Sequence, residues 1–420
     1  MTSAAASETP AAPDAGTRAP GTGAAITWQD EVSRDLLNLG GRLALFVRGE
    51  GSHVWDADGV RYLDFLGGIA VNALGHAHPA FVAAVTSQAA TLAHVSNYFA
   101  TPPQLELAAR LKRLAGAGEN GHVFFANSGS EANETAIKLA RLHGRATGKR
   151  TIVSLHGAFH GRTMGSLSLT PKAAYQDPFR PLLPEVVHIA ATLEALEDAI
   201  DDTVAALFVE PIQGEAGVVP LPDGFLRRAR ELTSAHGALL VVDEVQTGVG
   251  RTGEWFAFQR EGIVPDAMTL AKGIAGGFPL GALVTFGDAD VFYPGTHNST
   301  FGGNPLATAV GNAVLAEIES SDLLANVTER GAQLRHAVEG LPLVTGTRGS
   351  GLLIGITLLS PVAAEVRDAA QRRGLIVNAP TADVIRLAPA YTIGDAEIDE
   401  FTTLFAAALD EVATHAKEDA

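Results

Sequence analysis

Three short segments carry side chains of the right type to do chemistry together. In 238–246, Ala-Leu-Leu-Val-Val-Asp-Glu-Val-Gln, five apolar residues run into Asp243. Such a run suits a buried strand. A carboxylate at its end needs a cationic partner, because an unpaired charge out of water is costly. The protonated nitrogen of a heterocycle is such a partner, through a charge-assisted hydrogen bond. In 267–277, Ala-Met-Thr-Leu-Ala-Lys-Gly-Ile-Ala-Gly-Gly, a second apolar run ends in Lys272 and a glycine-rich loop. A lysine there cannot easily reach bulk water. Bonded to an aldehyde it is no longer an ammonium, and once released its lowered pKa makes it a base. In 125–134, Phe-Ala-Asn-Ser-Gly-Ser-Glu-Ala-Asn-Glu, a strand gives way to a helix at Ser128, Gly129 and Ser130. The first amides of a helix have no partner within it and its dipole favours an anion, so a phosphate fits there. Taken singly, Ser128 reads as a plain N-cap. Together the segments offer anchors for the nitrogen, the aldehyde and the phosphate of one ring.

A fourth segment, 155–163, Leu-His-Gly-Ala-Phe-His-Gly-Arg-Thr, follows another strand. Phe159 can stack on a ring and Arg162 can grip a carboxylate with two hydrogen bonds. By itself this loop is weak evidence, and so are His156 and His160.

The elements that must position these residues alternate. Apolar strands are expected at 122–127, 151–155, 205–210, 238–245, 267–271 and 283–286, with amphipathic helices between them, among them 130–142 and 224–236. This alternation implies a doubly wound α/β domain with a mostly parallel sheet. Ligands of such sheets bind beyond the carboxyl ends of the strands, where the three anchor loops begin. Upstream, 53–56 and 60–65 read as two short strands around the turn Asp56-Ala-Asp-Gly. Downstream, a long helix is expected over 304–319, then strands at 349–356 and 375–387 in a smaller α+β domain. Residues 1–25, rich in Ala, Thr, Pro and Gly, read as a disordered leader; a transit peptide would carry more Arg and fewer acids.

Composition narrows the function. With 30 basic and 47 acidic residues the net charge is −17, which argues against nucleic-acid and anionic membrane partners. There is no cysteine, so disulfides, thiolate catalysis and Cys-based metal sites are excluded; a reducing, cytoplasmic setting is expected. The 13 His are scattered without ligand spacing, and no metal site is expected. Apolar stretches are short and interrupted, so no membrane span is expected.

These residues resemble the class-III aminotransferases, pyridoxal-phosphate enzymes of fold type I. The likeness runs from about residue 45 to 395. It rests on 67–76 (Gly-Gly-Ile-Ala-Val-Asn-Ala-Leu-Gly-His), 127–134, 209–215 (Val-Glu-Pro-Ile-Gln-Gly-Glu), 243–248 (Asp-Glu-Val-Gln-Thr-Gly) and 297–304 (His-Asn-Ser-Thr-Phe-Gly-Gly-Asn). The resemblance implies a large domain with a mostly parallel seven-stranded sheet, over 76–310, and a smaller α+β domain built from both termini, over 26–75 and 311–420. It implies pyridoxal 5'-phosphate bound by Gly129, Ser130, Phe159, Asp243, Glu244, Val245, Gln246 and Lys272. Phe159 and Val245 would cover the two ring faces, and Gln246 would sit near the ring hydroxyl. Thr300 would reach the phosphate of a neighbouring subunit in a homodimer with shared sites.

For substrates the resemblance implies acetylornithine and the pair 2-oxoglutarate/glutamate. Ser299 and Arg162 would contact the amino donor. Arg386 would bind the α-carboxylate of glutamate, and Glu215 would neutralise Arg386 when the other substrate is present. One carboxylate must be accommodated in one half of the reaction and two in the other, so a switchable partner for a fixed arginine is useful. The segment 36–43, Leu-Leu-Asn-Leu-Gly-Gly-Arg-Leu, departs from relatives by lacking a Tyr and a Pro pair. Leu39 and Ile69 stand about where ornithine-specific members place Tyr, which favours an acylated α-nitrogen. The acyl group stays open, with succinylornithine, succinyl-diaminopimelate, free ornithine and 4-aminobutyrate as alternatives.

Overall fold

The computed structural model describes residues 27–418, so the expected leader lies outside the described residues. The chain divides into two compact units, Met1–Leu45 and Phe46–Ala420. In the first, helix Trp28–Asp35 opens with a reciprocal cap: Asp30 N–H donates to Thr27 Oγ1 at 3.3 Å and Thr27 N–H to Asp30 Oδ2 at 2.9 Å. The helix buries no residue.

The second unit is organised by a seven-stranded sheet. Its strands are β1 (Val123–Ala126), β2 (Thr151–Leu155), β3 (Val186–Ile189), β4 (Val204–Val209), β5 (Leu239–Asp243), β6 (Ala267–Leu270) and β7 (Gly281–Thr285). The spatial order is β1-β7-β6-β5-β4-β2-β3. All pairings are parallel except those of β7, which runs against β6 and β1. Strands β4 and β5 are buried along their whole length, as expected where helices cover both faces. The two-residue period divides them between two layers. Leu207, Val209, Leu240 and Val242 enter one apolar cluster, and Ala206, Phe208, Leu239 and Val241 the other.

Helix α1 (Gly129–Thr147) follows β1, α2 (Phe225–His236) precedes β5, and α3 (Pro305–Ser320) follows β7. On α1 the buried positions Ala132, Asn133, Ala136, Ile137, Leu139, Ala140 and Gly144 repeat at helical spacing. That face lies on β6 and β7. Burying Ile137 and Leu139 stabilises the packing by about 1.5–3 kcal/mol each. At Gly281 a Cβ would stand 2.4 Å from the Ser128 carbonyl oxygen, so β7 can pass under the start of α1 only without a side chain.

Two smaller sheets flank this core. One joins Phe46–Glu50, His53–Asp56 and Arg61–Asp64 to Leu375–Ile376, pairing Leu63 with Leu375 in parallel, so segments over 300 positions apart share it. The other has the order Val344–Ser350, Leu353–Leu358, Val384–Leu387, Asn378–Thr381. Here the sequence expectation needs correction. The single strand expected at 349–356 is a hairpin turning at Gly351, and that expected at 375–387 is three short strands in two sheets. β3 and Phe46–Glu50 were not anticipated; the first is mostly half-buried and the second mostly exposed, and both mix apolar with polar residues. No described helix is long and apolar enough to cross a membrane.

Candidate active site

The end of β1, the start of α1, and the carboxyl ends of β4, β5 and β6 meet around one cavity of about 330 Å³. That is large enough for a small cofactor. Gly129, Ser130, Phe159, Asp243, Val245, Gln246 and Lys272 all line it.

At one end Ser128 caps α1, its Oγ accepting from Glu131 N–H at 3.2 Å. The amides of Gly129 and Ser130 lie in the first turn, where no helical carbonyl serves them. Asn127 donates its side-chain amide to Glu131 Oε2 at 2.9 Å, and Arg162 N–H donates to Ser130 Oγ at 3.2 Å, which fixes the loop. A Cβ on Gly129 would stand 2.9 Å from Val245 Cγ1. The absence of a side chain there opens the cradle in which an anion would sit.

At the other end Asp243, 3% exposed, uses its two oxygens differently. Oδ2 pairs with His160 Nδ1 at 2.7 Å and accepts from Asn133 Nδ2 at 2.8 Å. Among the described residues Oδ1 accepts only from Val245 N–H, at 3.0 Å, which leaves it a lone pair for a further donor. Asn133 is itself held, its Nδ2 donating also to the His160 carbonyl and its Oδ1 accepting from Thr269 Oγ1 at 2.9 Å. Burial works against a charge on His160, but the Asp243 carboxylate outweighs it and the pKa is raised. His160 Nε2 is buried without a partner among the described residues.

Lys272 follows β6 in a left-handed conformation, φ 50°, which costs of order 1–3 kcal/mol for a residue with a side chain. Its Nζ has no hydrogen bond or ion pair among the described residues. Burial lowers its pKa, aided by the positive charge of Arg386 and opposed by Glu210 and Asp243, so more of it is neutral amine than in a free lysine. Glu210, in the position after β4, also lines the cavity and accepts from Phe159 N–H at 2.9 Å. Its pKa is pushed up to about 8, chiefly by burial and partly offset by the charge on His160. At neutral pH it is therefore a carboxylic acid rather than a carboxylate.

Arg386 and Glu215 form an ion pair, Nη1 to Oε1 at 2.6 Å, beside this cavity rather than in its wall. They connect to it through Gln246, whose Oε1 accepts from Arg386 Nη1 at 3.2 Å. Arg162, Ser299 and Thr300 do not line it either. The Arg162 guanidinium lies 3.5 Å from the centre of the Tyr175 ring and 5.6 Å from that of Phe159. Ser299 Oγ accepts from Gly302 N–H at 3.0 Å, and Thr300 is exposed. Ile69 is exposed at φ 67°. Leu39 belongs to the first unit and is 84% exposed.

Glu244 does not line the cavity either. With Asp243 and Val245 facing the cavity, the residue between them points the opposite way. Its carboxyl accepts from Thr247 Oγ1 at 2.5 Å and Phe258 N–H at 2.9 Å, away from the cavity. Other buried groups join the site without having been expected there. Glu210 follows a fully apolar run just as Asp243 does, and that same signal could have found it. Asn133 and Thr269 show no sequence signal apart from their place on inward faces.

The comparisons with known proteins agree with this geometry. The family model described as aminotransferase class-III matches residues 39–409. Acetylornithine aminotransferase of Streptomyces coelicolor is 53% identical over 93% of this chain and 96% of its own. Among solved structures, ornithine aminotransferase of Toxoplasma gondii, with PLP at partial occupancy in its active site, superposes with a TM-score of 0.88 at 31% identity, covering 93% of this chain and 96% of that one. N-acetylornithine aminotransferase of Stenotrophomonas maltophilia does so with a TM-score of 0.79 at 36% identity, covering 91% and 100%. With its α/β architecture, its anchors at strand ends and a family match over most of its length, this chain belongs to the class-III aminotransferases.

Proposed function

We propose that this enzyme uses pyridoxal 5'-phosphate to transfer the terminal amine of N2-acetyl-L-ornithine to 2-oxoglutarate, giving N-acetyl-L-glutamate 5-semialdehyde and L-glutamate in arginine biosynthesis. The observation that carries the reading is the meeting of Lys272, Asp243 and the start of α1 in one cavity. The residues fit the cofactor: an unpartnered amine, a carboxylate with a spare lone pair, and a side-chain-free cradle at a helix N-terminus. When bound, the cofactor supplies an aldehyde that takes up the substrate amine and a ring that accepts electrons from the adjoining carbon.

The rest is done by the protein's own groups. The Gly129 and Ser130 amides hold the phosphate. Asp243 Oδ1 keeps the ring nitrogen protonated, and His160 and Asn133 hold Asp243 in place. Phe159 and Val245 cover the two faces of the ring. Lys272 Nζ tethers the cofactor between turnovers and, once displaced, takes the proton from the substrate carbon that bears the amine. Arg162 faces the carboxylate of the acylated substrate. Arg386 takes the α-carboxylate of glutamate after Glu215 withdraws; with the monocarboxylic substrate Glu215 returns. In this reading the protein is a cytoplasmic homodimer, the exposed Thr300 serving the phosphate of the second copy and Ser299 contacting the amino donor.

The test is a spectrum of the purified enzyme. The visible absorbance of bound cofactor should bleach with acetylornithine and return with 2-oxoglutarate, and Lys272→Ala should abolish the cycle. The likeness to an ornithine aminotransferase supports free ornithine as a second reading, so kcat/KM is compared for acetylornithine, succinylornithine and ornithine. Preference for ornithine would overturn the acyl assignment.

A further inference from the structure

Arg386 is 2% exposed, yet its only charged partner among the described residues is a loop residue. Glu215 lies between the short strands Ile212–Gln213 and Val219–Pro220, with a side chain 34% exposed. The other two partners are neutral amides. Gln246 receives Nη1, and Asn378 Oδ1 receives Nη2 at 2.7 Å. Asn378 is set differently from Glu215. It lies on Asn378–Thr381, directly opposite Arg386 in an antiparallel ladder, so backbone hydrogen bonding fixes the two side chains as neighbours on one face. Arg386 Nε is buried without a partner among the described residues, so the guanidinium has no other grip from them at that edge.

We infer that Asn378 is the specificity-determining positioning residue of the substrate switch: it fixes Arg386 from behind, so that only Glu215 moves when a dicarboxylic substrate replaces a monocarboxylic one. The inference rests on the transaminase reading above. With Nη2 held by Asn378 and Nη1 by Gln246, removal of Glu215 leaves one N–H on each terminal nitrogen. Those two donors form the fork that an incoming carboxylate meets. The neutrality of Asn378 is as important as its place. A carboxylate in its position would satisfy Arg386 permanently, and departure of Glu215 would then expose no net charge. An apolar residue would release Nη2 and let the guanidinium close on Glu215 with both nitrogens, which strengthens the mask.

The experiment uses the cofactor-loaded enzyme and two readouts. Calorimetry gives the Kd of glutarate, a dicarboxylate with no amine or carbonyl to react. Single-turnover measurements give kcat/KM for each half-reaction separately. Asn378→Asp should weaken glutarate at least tenfold and lower the 2-oxoglutarate half-reaction at least tenfold more than the acetylornithine half-reaction. Asn378→Ala should do the same to a smaller degree and keeps the proposal testable if the buried aspartate prevents folding. A rescue separates positioning from general damage. Glu215→Gln should impair the acetylornithine half-reaction by leaving Arg386 uncovered, and Asn378→Asp added to it should restore that half-reaction. Equal loss in both half-reactions, unchanged glutarate binding, or failure of the rescue would overturn the role of Asn378. If the unmodified enzyme shows neither half-reaction, the transaminase reading itself falls, and that outcome is seen before any Asn378 variant is made.

Discussion

Glu210 makes a prediction whose size follows from its surroundings. Burial pushes its pKa from 4.5 to about 8, so the folded protein holds a proton that the unfolded chain releases above pH 4.5. The sign is that of a raised carboxylate pKa. Below pH 4.5 both states are protonated and nothing is lost. Between pH 4.5 and 8 the native state binds more protons, and stability falls as pH rises by roughly 1.4 kcal/mol per unit. Above pH 8 the loss levels off. Gln has the shape of a protonated Glu and does not titrate. The cofactor-free Glu210→Gln protein should therefore match the parent near pH 4.5. It should exceed it by on the order of 3 kcal/mol at pH 7 and 4 kcal/mol at pH 8, levelling off near 5 kcal/mol by pH 9. Urea unfolding of both proteins from pH 5 to 9 reads the difference directly, and taking the difference at each pH removes most of the titration of His160. A gap independent of pH, or one that narrows as pH rises, would show that Glu210 is ionised in the native protein and would refute the reasoning.

His160→Ala leaves Asp243 Oδ2 with Asn133 as its only remaining donor. The spectrum of bound cofactor should then titrate at lower pH, with kcat down about 10–100-fold, as expected when the group orienting a reacting partner is lost. Gly129→Ala places a methyl carbon 2.9 Å from Val245 Cγ1 and fills the anion cradle. Cofactor affinity, followed by fluorescence quenching, should fall at least tenfold while the urea midpoint of the cofactor-free protein shifts little. Asn133→Ala removes two donors, to Asp243 and to the His160 carbonyl, and strands Thr269 Oγ1. It should destabilise the cofactor-free protein by about 1–3 kcal/mol in urea unfolding.

The legible part of the site was the part signalled by chemical contrast. Asp243 and Lys272 are charges at the ends of apolar runs, and Ser128-Gly129-Ser130 is a strand-to-helix turn that small residues alone permit. Such positions are set by local sequence. Strands β4, β5 and β6 were equally plain, because burial on both faces leaves continuous apolar runs. Less legible were the features set by pairing between distant segments. The small sheet of Asn378–Thr381 and Val384–Leu387 has strands too short and too mixed to show a period of two, so the register that sets Asn378 against Arg386 could not be seen. Glu244 adjoins Asp243 in sequence yet turns away from the cavity, because extended backbone sends successive side chains to opposite sides. Asn133 was hidden because an inward-facing amide on a helix looks like any polar residue until its partners are placed.

The cavity draws on β1, β4, β5 and β6, and its inner hydrogen bond joins residues 110 positions apart. No contiguous stretch of this chain contains a ring-binding surface. A growing or truncated polypeptide that stops short of Lys272 lacks the amine that would tether the cofactor, whatever helices it has already made. Capture can only follow closure of the sheet, which makes ligand uptake a report on finished assembly. Because it favours the closed form alone, vitamin supply at a hundred times the dissociation constant deepens the native well by about 2.7 kcal/mol. The cofactor-free protein would then be the one more readily opened and cleaved, so protease resistance should rise with cofactor concentration.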